Sequence, residues 1–356
     1  MDAAKEFRRQ KKTEKREKIR FFQRAGVLII IALVCIEILL LLGLFFGPGP
    51  KAANGDKSVF YVASGDGAAK IAKNLGDGHL VRTPFAFKVL VVLTGAGSKF
   101  QIGEFEIPNR ASPSKILRIL TKGAAIAHNV TIPEGWTNGM AYERIAANPI
   151  LVGEMPPMVR EGSLAADTYQ VQRGDTRATL VNRMVQAQTR IIDELWLKRA
   201  ANLPFRSKDE AIILASIVEK ETGKAEERPK VAAVFVNRLR LGMKLQSDPT
   251  IIYGVTRGLP IGRKILRSEI NQNHPWNTYV IAGLPPTPIA NPGRASIEAV
   301  LNPPNSKDLF FVADGTGGHV FAETYAEHER NVARWREFRA QSEIQEQHLE
   351  GARGSK

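Results

Sequence analysis

Two glutamates one residue apart, Glu219 and Glu221 in the run DEAIILASIVEKETG, are the strongest candidates for acid–base chemistry in this chain. The run carries a helical apolar pattern over Asp209 to Thr222, and that pattern separates the two carboxylates. Three, four and seven residues before Glu221 stand Val218, Ile217 and Leu214, all apolar, whereas Glu219 follows Ser216, Ala215 and Ile212. Glu221 therefore continues a buried stripe and Glu219 is expected to face outward. Burial disfavours the charged form, and so does the negative end of the helix dipole in the last turn. A glutamate so placed stays protonated near neutral pH, as a general acid must. The competing reading is a structural one, in which Glu221 pairs with Arg238 or Arg240.

Other reactive side chains are sparse. The single cysteine, Cys35, excludes intramolecular disulfides and cysteine-based zinc clusters, and it lies inside a long apolar run where no aqueous thiol chemistry is available. His319 sits in the Gly-rich turn GTGGHVF and His328 follows nine residues later. There is no H-E-x-x-H and no histidine pair at helical i,i+4 spacing, so a loop-ordering or ligand-contacting His319 is expected rather than a metal site. Asp248-Pro249 reads as turn initiation. The prolines at 285, 286, 288 and 292 stiffen the loop GLPPTPIANPG, which suits a groove wall or a purely structural loop.

The elements that must carry these residues begin with a hydrophobic segment. Residues 25–47 form an apolar run with one charge, Glu37, long enough to cross a bilayer core. The run exceeds the 7–15 residues of a signal-peptide core and lacks a small-residue cleavage site, so it is expected to remain as an anchor. Residues 1–24 hold ten Lys or Arg against four Asp or Glu, which places the N-terminus in the cytoplasm and the rest outside by the positive-inside rule. That leader supplies +6 of the net charge of +14, and its expected partner is the anionic membrane surface. With no basic stripe interleaved with aromatics elsewhere, nucleic acid is not an expected partner.

Beyond the anchor an α+β chain is expected. Residues 48–56 read as a flexible linker. Residues 57–125 form a small module with a β-run, a helix through Ala69 to Leu75, a helix over Pro84 to Leu93, an alternating strand in FQIGEFEIP, and a Ser-capped helix from Ser112 stopped by Gly123. Residues 126–340 form a larger unit with helices over Thr179 to Ala200, Asp209 to Thr222 and Ala225 to Leu241. Short strands in a Pro- and Gly-rich stretch come next, and then a last helix from Tyr325 to about Glu350. Residues 341–356 complete a tail that frays at GARGSK.

Several long stretches in order resemble the MltG-type endolytic murein transglycosylases, the YceG-like family. They are EKET, AEERPKVAAVFVNRLRLGMKLQSDPTIIYG, NTYVIAGLPPTPIANPG at 277–293 and FFVADGTGGHVF at 310–321. EGSLAADTYQV at 161–171 adds to the match, with Ala166 where the family has proline and with Asp167, Thr168 and Tyr169 kept. The 57–125 module resembles the LysM-like domain that precedes the catalytic region in certain cell-wall enzymes.

The resemblance implies that Glu221, the second glutamate of EKET, is the catalytic acid. The Glu221-Thr222 pair also resembles the Glu-Ser of other lytic transglycosylases and of goose-type lysozymes. It further implies glycan contacts or orienting roles for Gln246, Asp248, Tyr253, Asn277, Tyr279 and His319, with no cofactor or metal. The implied reaction is a lyase cleavage of the bond between N-acetylmuramic acid and N-acetylglucosamine. Glu221 protonates the glycosidic oxygen and then takes the proton of the muramyl 6-hydroxyl as that oxygen closes on C1, leaving a 1,6-anhydro end. Peptidoglycan strands are the implied partner, with peptidoglycan synthases beside them, and the anchor suits termination of nascent strands. Ordinary glycoside hydrolysis needs a second carboxylate. Asp248 would supply it in a lysozyme-type hydrolase, and a third reading is a non-catalytic wall-binding scaffold.

Overall fold

The computed structural model describes the backbone of residues 2–51 and 55–354 and the side chains of residues 24–51 and 55–341. Among the described residues, helices alternate with three separate two-stranded antiparallel sheets. Two compact units divide the chain, one of residues 1–127 with 172–174, the other of residues 128–171 and 175–356.

The first unit starts with helix α1 (Asp2–Phe46), whose stretch Arg24–Phe46 is, among the described residues, the one helix long and apolar enough to cross a membrane. Strand β1 (Lys57–Val62) pairs with β2 (Gly103–Pro108) so that Phe60 faces Phe105, and helices α2 (Ala68–Asp77) and α3 (Pro84–Leu93) lie between them in sequence. Helix α4 (Pro113–Lys122) follows, capped by the Ser112 hydroxyl, which accepts from the Lys115 N–H. Period-2 residues of the strands and period-3.6 residues of the helices meet in one core around Ile71, Leu75, Phe87, Phe105, Ile116 and Leu120.

The expected flexible linker is corrected at its near end. Phe45 is buried in that same core, and the Gly49 N–H donates to the Arg110 carbonyl. A Cβ on Gly49 would stand 2.3 Å from the Ala111 carbonyl oxygen, so glycine permits this close seating of chain on module. Residues 52–54 of the linker lie outside the described residues.

In the second unit, β3 (His128–Ile132) pairs with β4 (Asp167–Val171), with α5 (Asn138–Ala146) between them in sequence and α6 (Arg177–Leu197) after them. Helix α7 (Lys208–Glu221) is central. Its N-terminus closes a capping box between Ser207 and Glu210, and every residue from Ala211 to Val218 is buried. Helix α8 (Arg228–Arg240), α9 (Asp248–Thr256) and α11 (Arg294–Leu301) pack on it, with a single turn α10 (Arg267–Ile270) between the last two. Strands β5 (Phe310–Ala313) and β6 (His319–Ala322) form a hairpin, and α12 (Tyr325–Gly354) ends the fold.

Three features differ from expectation. Asp248-Pro249 opens a helix, since Pro in the first turn leaves no helical hydrogen bond unmade. The Pro- and Gly-rich stretch after Leu241 holds α9, α10 and α11 before any strand. Residues Gly351–Gly354 continue α12 where a frayed tail is expected, while residues 355–356 lie outside the described ones.

The loops of this unit are joined at a buried polar hub. Fully buried Asn291 accepts from the Leu164 N–H at 2.9 Å, and its amide lies 2.9 Å from both the Trp136 carbonyl and the Asn138 side-chain oxygen. An Asn291→Ala variant leaves the Leu164 N–H and the Asn138 side-chain oxygen dry and unpaired, while the Trp136 carbonyl keeps the backbone N–H of residue 291. It is expected to lose about 2–4 kcal/mol of stability, read by urea unfolding.

Candidate active site

Glu221 is the last residue of α7, and its carboxyl emerges where the buried helix stops. Thr222 ends the helix in an extended conformation, φ −135° and ψ 132°. The Ser247 hydroxyl donates to Glu221 Oε1 in a short hydrogen bond. Ser247 occupies the N-cap position of α9, where a serine ordinarily accepts from its own helix, yet it makes no such cap. Its hydroxyl serves the glutamate instead.

Thr278 holds Ser247 in place. This fully buried residue accepts from the Ser247 N–H at 2.9 Å through its hydroxyl and from the Gln246 N–H at 3.1 Å through its carbonyl. Gln246 adopts the left-handed region, φ 52°, a conformation costing a non-glycine residue on the order of 1 kcal/mol. The turn that presents Ser247 is thus strained and over-determined by buried hydroxyls.

Burial pushes the Glu221 carboxyl up to about 7, against the stabilising Ser247 hydrogen bond, with the neighbouring Asp248 adding repulsion and Arg238 opposing it. The pairing alternative for Glu221 does not hold. Arg238 gives its guanidinium to the carbonyls of Leu309 and Leu245, at 2.7 and 2.6 Å, and Arg240 reaches Asn237 and the Asn202 carbonyl.

Glu219 corrects a second expectation, since it faces inward with its side chain 5% exposed. It accepts from the Gly293 N–H at 3.0 Å and the Ser296 hydroxyl at 2.6 Å, at the N-terminus of α11, with Arg228 at 3.5 Å. Helix N-termini stabilise carboxylates, so this one is held by structure. The stripe argument fails here because α7 is buried on every side from Ala211 to Val218.

The other expected site residues divide into two groups. Asp248 and Gln246 are exposed, and the half-buried Tyr279 donates its hydroxyl to Asp248 Oδ1 at 2.7 Å. Burial and that carboxylate push the Tyr279 phenol well up, so it remains a donor. Asp248 and Tyr279 interact electrostatically with Glu221, and Gln246 precedes Ser247 in the chain. Tyr253 and Asn277 hydrogen-bond within the protein. Tyr253 is buried and donates to Glu161 Oε2 at 3.2 Å, while the buried Asn277 amide donates to the carbonyls of Glu269, Ile270 and Gln272.

His319 stands behind the helix end. Its Nδ1 is 2.7 Å from Glu227, whose other contacts include the Thr222 hydroxyl at 3.4 Å. Burial alone would raise Glu227, but the hydrogen bonds from His319 hold it below the usual carboxylate range. A Cβ on Gly318 would meet Glu227 Oε1 at 2.6 Å, which is why the Gly-rich turn seats so closely there. His328 stacks on Phe310. Sequence reading passed over Ser247 and Thr278. Their one visible signal is a serine and a threonine adjoining Gln246, Asp248, Asn277 and Tyr279.

Residues 60–334 match the family model described as the YceG-like family. The chain belongs to the YceG-like family. It is 29% identical over 300 residues to the endolytic murein transglycosylase of Bacillus subtilis, covering 76% of this chain and 82% of that one. It is 28% identical over 334 residues to the endolytic murein transglycosylase of Streptococcus pneumoniae, covering 80% of this chain and 59% of that one. A solved yceG-like protein of Listeria monocytogenes aligns over 78% of this chain and 99% of its own, at 25% identity and a TM-score of 0.49.

The raised Glu221 value has a consequence for stability. A carboxyl that binds its proton more tightly folded than unfolded loses stability as pH rises from the ordinary carboxylate value through about 7. Glu221→Gln removes that loss. The variant is expected to match the unmodified protein in mild acid and to exceed it by about 3 kcal/mol above neutrality, measured by urea unfolding at both pH values.

Proposed function

We propose that this chain is a membrane-anchored endolytic lytic transglycosylase of peptidoglycan. The observation that carries the reading is Glu221, a carboxyl with no ion pair among the described residues. It is kept protonated near neutrality by burial and hydrogen-bonded at one oxygen by Ser247. The names carried by the Bacillus and Streptococcus relatives give the substrate class.

In this mechanism Glu221 donates its proton to the glycosidic oxygen between N-acetylmuramic acid and N-acetylglucosamine. As the bond breaks, positive charge grows at C1. The carboxylate left on Glu221 takes the proton of the muramyl 6-hydroxyl, whose oxygen bonds to C1. One proton leaves and one returns, no water is consumed, and the product end is 1,6-anhydro. Ser247 stabilises the carboxylate through the middle of this cycle. Gln246, Asp248 and Tyr279 are the proposed glycan contacts.

Tyr253, Asn277 and His319 act through the loops they hold. The first unit reads as a LysM-like module, supported by its paired strands with two helices between them. α1 reads as a single-pass anchor with its basic N-terminus in the cytoplasm, which brings the site near emerging strands and their synthases.

Digestion of purified peptidoglycan by the full chain in detergent, followed by mass spectrometry of the products, tests this. Anhydro ends, one water lighter than reducing ends, are expected, and Glu221→Gln should lower their formation by at least about 10²–10⁴-fold. Reducing ends would instead identify a hydrolase using Asp248, and retained binding without cleavage a scaffold. Two further variants carry opposite signs. Activity should fall as Glu221 deprotonates, so Asp248→Asn, which removes repulsion, moves the alkaline limb of the pH profile down. Ser247→Ala, which removes a bond to the carboxylate, moves it up.

A further inference from the structure

Helix α3 is apolar on two opposite faces. Its buried face, Ala86, Phe87, Leu90 and Val91, packs in the module core. On the opposite side Phe85, Val92 and Leu93 are 72%, 76% and 70% exposed, while Val89 between them is half-buried against the core. Lys88 is the one charged residue in the ten. A second apolar face left exposed opposite the buried one marks contact with protein or with lipid.

The same helix packs against α1, as does α4. A cavity of about 380 Å³ opens at that junction, lined by Leu39, Leu40 and Leu44 of α1 and by Arg82, Thr83 and Ala86 of the module. At 1.5 Å per residue, Leu39 and Leu44 stand about 22 and 30 Å along the helix from Arg24. A hydrocarbon core is about 30 Å thick. If α1 spans a bilayer, as read above, the start of α3 therefore lies level with the acyl chains and not above them. Phe45 in the module core and Gly49 seated on the module backbone leave the described joint without slack.

We propose that α3 is embedded in the leaflet in which α1 ends. Its exposed apolar face meets acyl chains, the cavity beside Leu40 takes a phospholipid chain, and Arg82 and Lys88 reach headgroup phosphates. Long basic side chains at such a depth extend to the interface in this way. The module is thereby held at a set height and orientation on the bilayer, beyond what one transmembrane helix imposes. This inference rests on the reading of α1 as an anchor, and the single cysteine allows the two to be tested apart.

The full chain is reconstituted in vesicles of phosphatidylcholine and phosphatidylglycerol. A nitroxide is attached to native Cys35 or, on a Cys35→Ser background, to Phe85→Cys, Leu93→Cys or Lys73→Cys. Each of the introduced positions is exposed, so folding is not at stake. Collision with oxygen, which concentrates in lipid, is compared with collision with a water-soluble nickel chelate. The expected oxygen-to-nickel ratio at positions 85 and 93 is several-fold above that at Lys73→Cys and approaches that at Cys35. A lipid-like Cys35 with water-like values at 85 and 93 overturns the embedding and leaves the anchor standing. Low collision with both reagents at 85 and 93 means protein contact, such as a second copy, and also overturns it. A water-like Cys35 overturns both.

Discussion

The hydrogen bond from Ser247 to Glu221 is the contact around which the second unit is arranged. An ionisable group at the end of a helix buried from Ala211 to Val218 is costly to charge, and the Ser247 hydroxyl is a donor that offsets part of that cost. Everything near it bears on that one donor. Thr278 sets the backbone of residues 246 and 247, Gln246 takes a strained conformation to turn the chain, and α9 forgoes its cap so that the hydroxyl can point elsewhere. Strain of this kind persists only where surrounding structure over-determines it.

The four residues of EKET make four different uses of one helix end. Glu219 reaches the N-terminus of α11, Lys220 reaches the Gly135 carbonyl, Glu221 meets Ser247, and Thr222 meets Glu227. Two carboxylates separated by a single residue thus end in opposite electrostatic conditions. One is matched by Arg228, one backbone N–H and a serine hydroxyl at a helix start, and the other has no ion pair among the described residues at a helix finish. The contrast between a charge that is held and a charge that is withheld is what separates a structural glutamate from a proton donor.

Periodicity made Glu221 legible, because Leu214, Ile217 and Val218 really do share its buried face. The same reasoning misplaced Glu219, since a stripe implies an opposite wet face and α7 has none from Ala211 to Val218. What satisfies Glu219 lies 74 and 77 residues away in sequence, beyond the reach of any local pattern. Helices α5, α9 and α11 are eight or nine residues long, too short for periodicity to stand out among prolines and glycines. The longer helices and the alternating strands of the first unit carried enough repeats to be read. Ser247 could not be found from sequence. A serine before Asp-Pro has the pattern of a cap, and only the fold shows the hydroxyl turned away.

The Asn291 hub bears on how the site is assembled. It joins the turn at Trp136 and Asn138, the loop at Leu164 and its own proline-rich loop, across separations of 155, 153 and 127 residues. Contacts so distant along the chain form late, after the entropy of closing large loops has been overcome, and they slow folding. None of the three segments has a local partner for the polar groups that meet there. The acid-bearing helix depends on the same distant segment, since α11, which packs on α7, follows Asn291 in the chain, so the helix end and the loops around it are stabilised together.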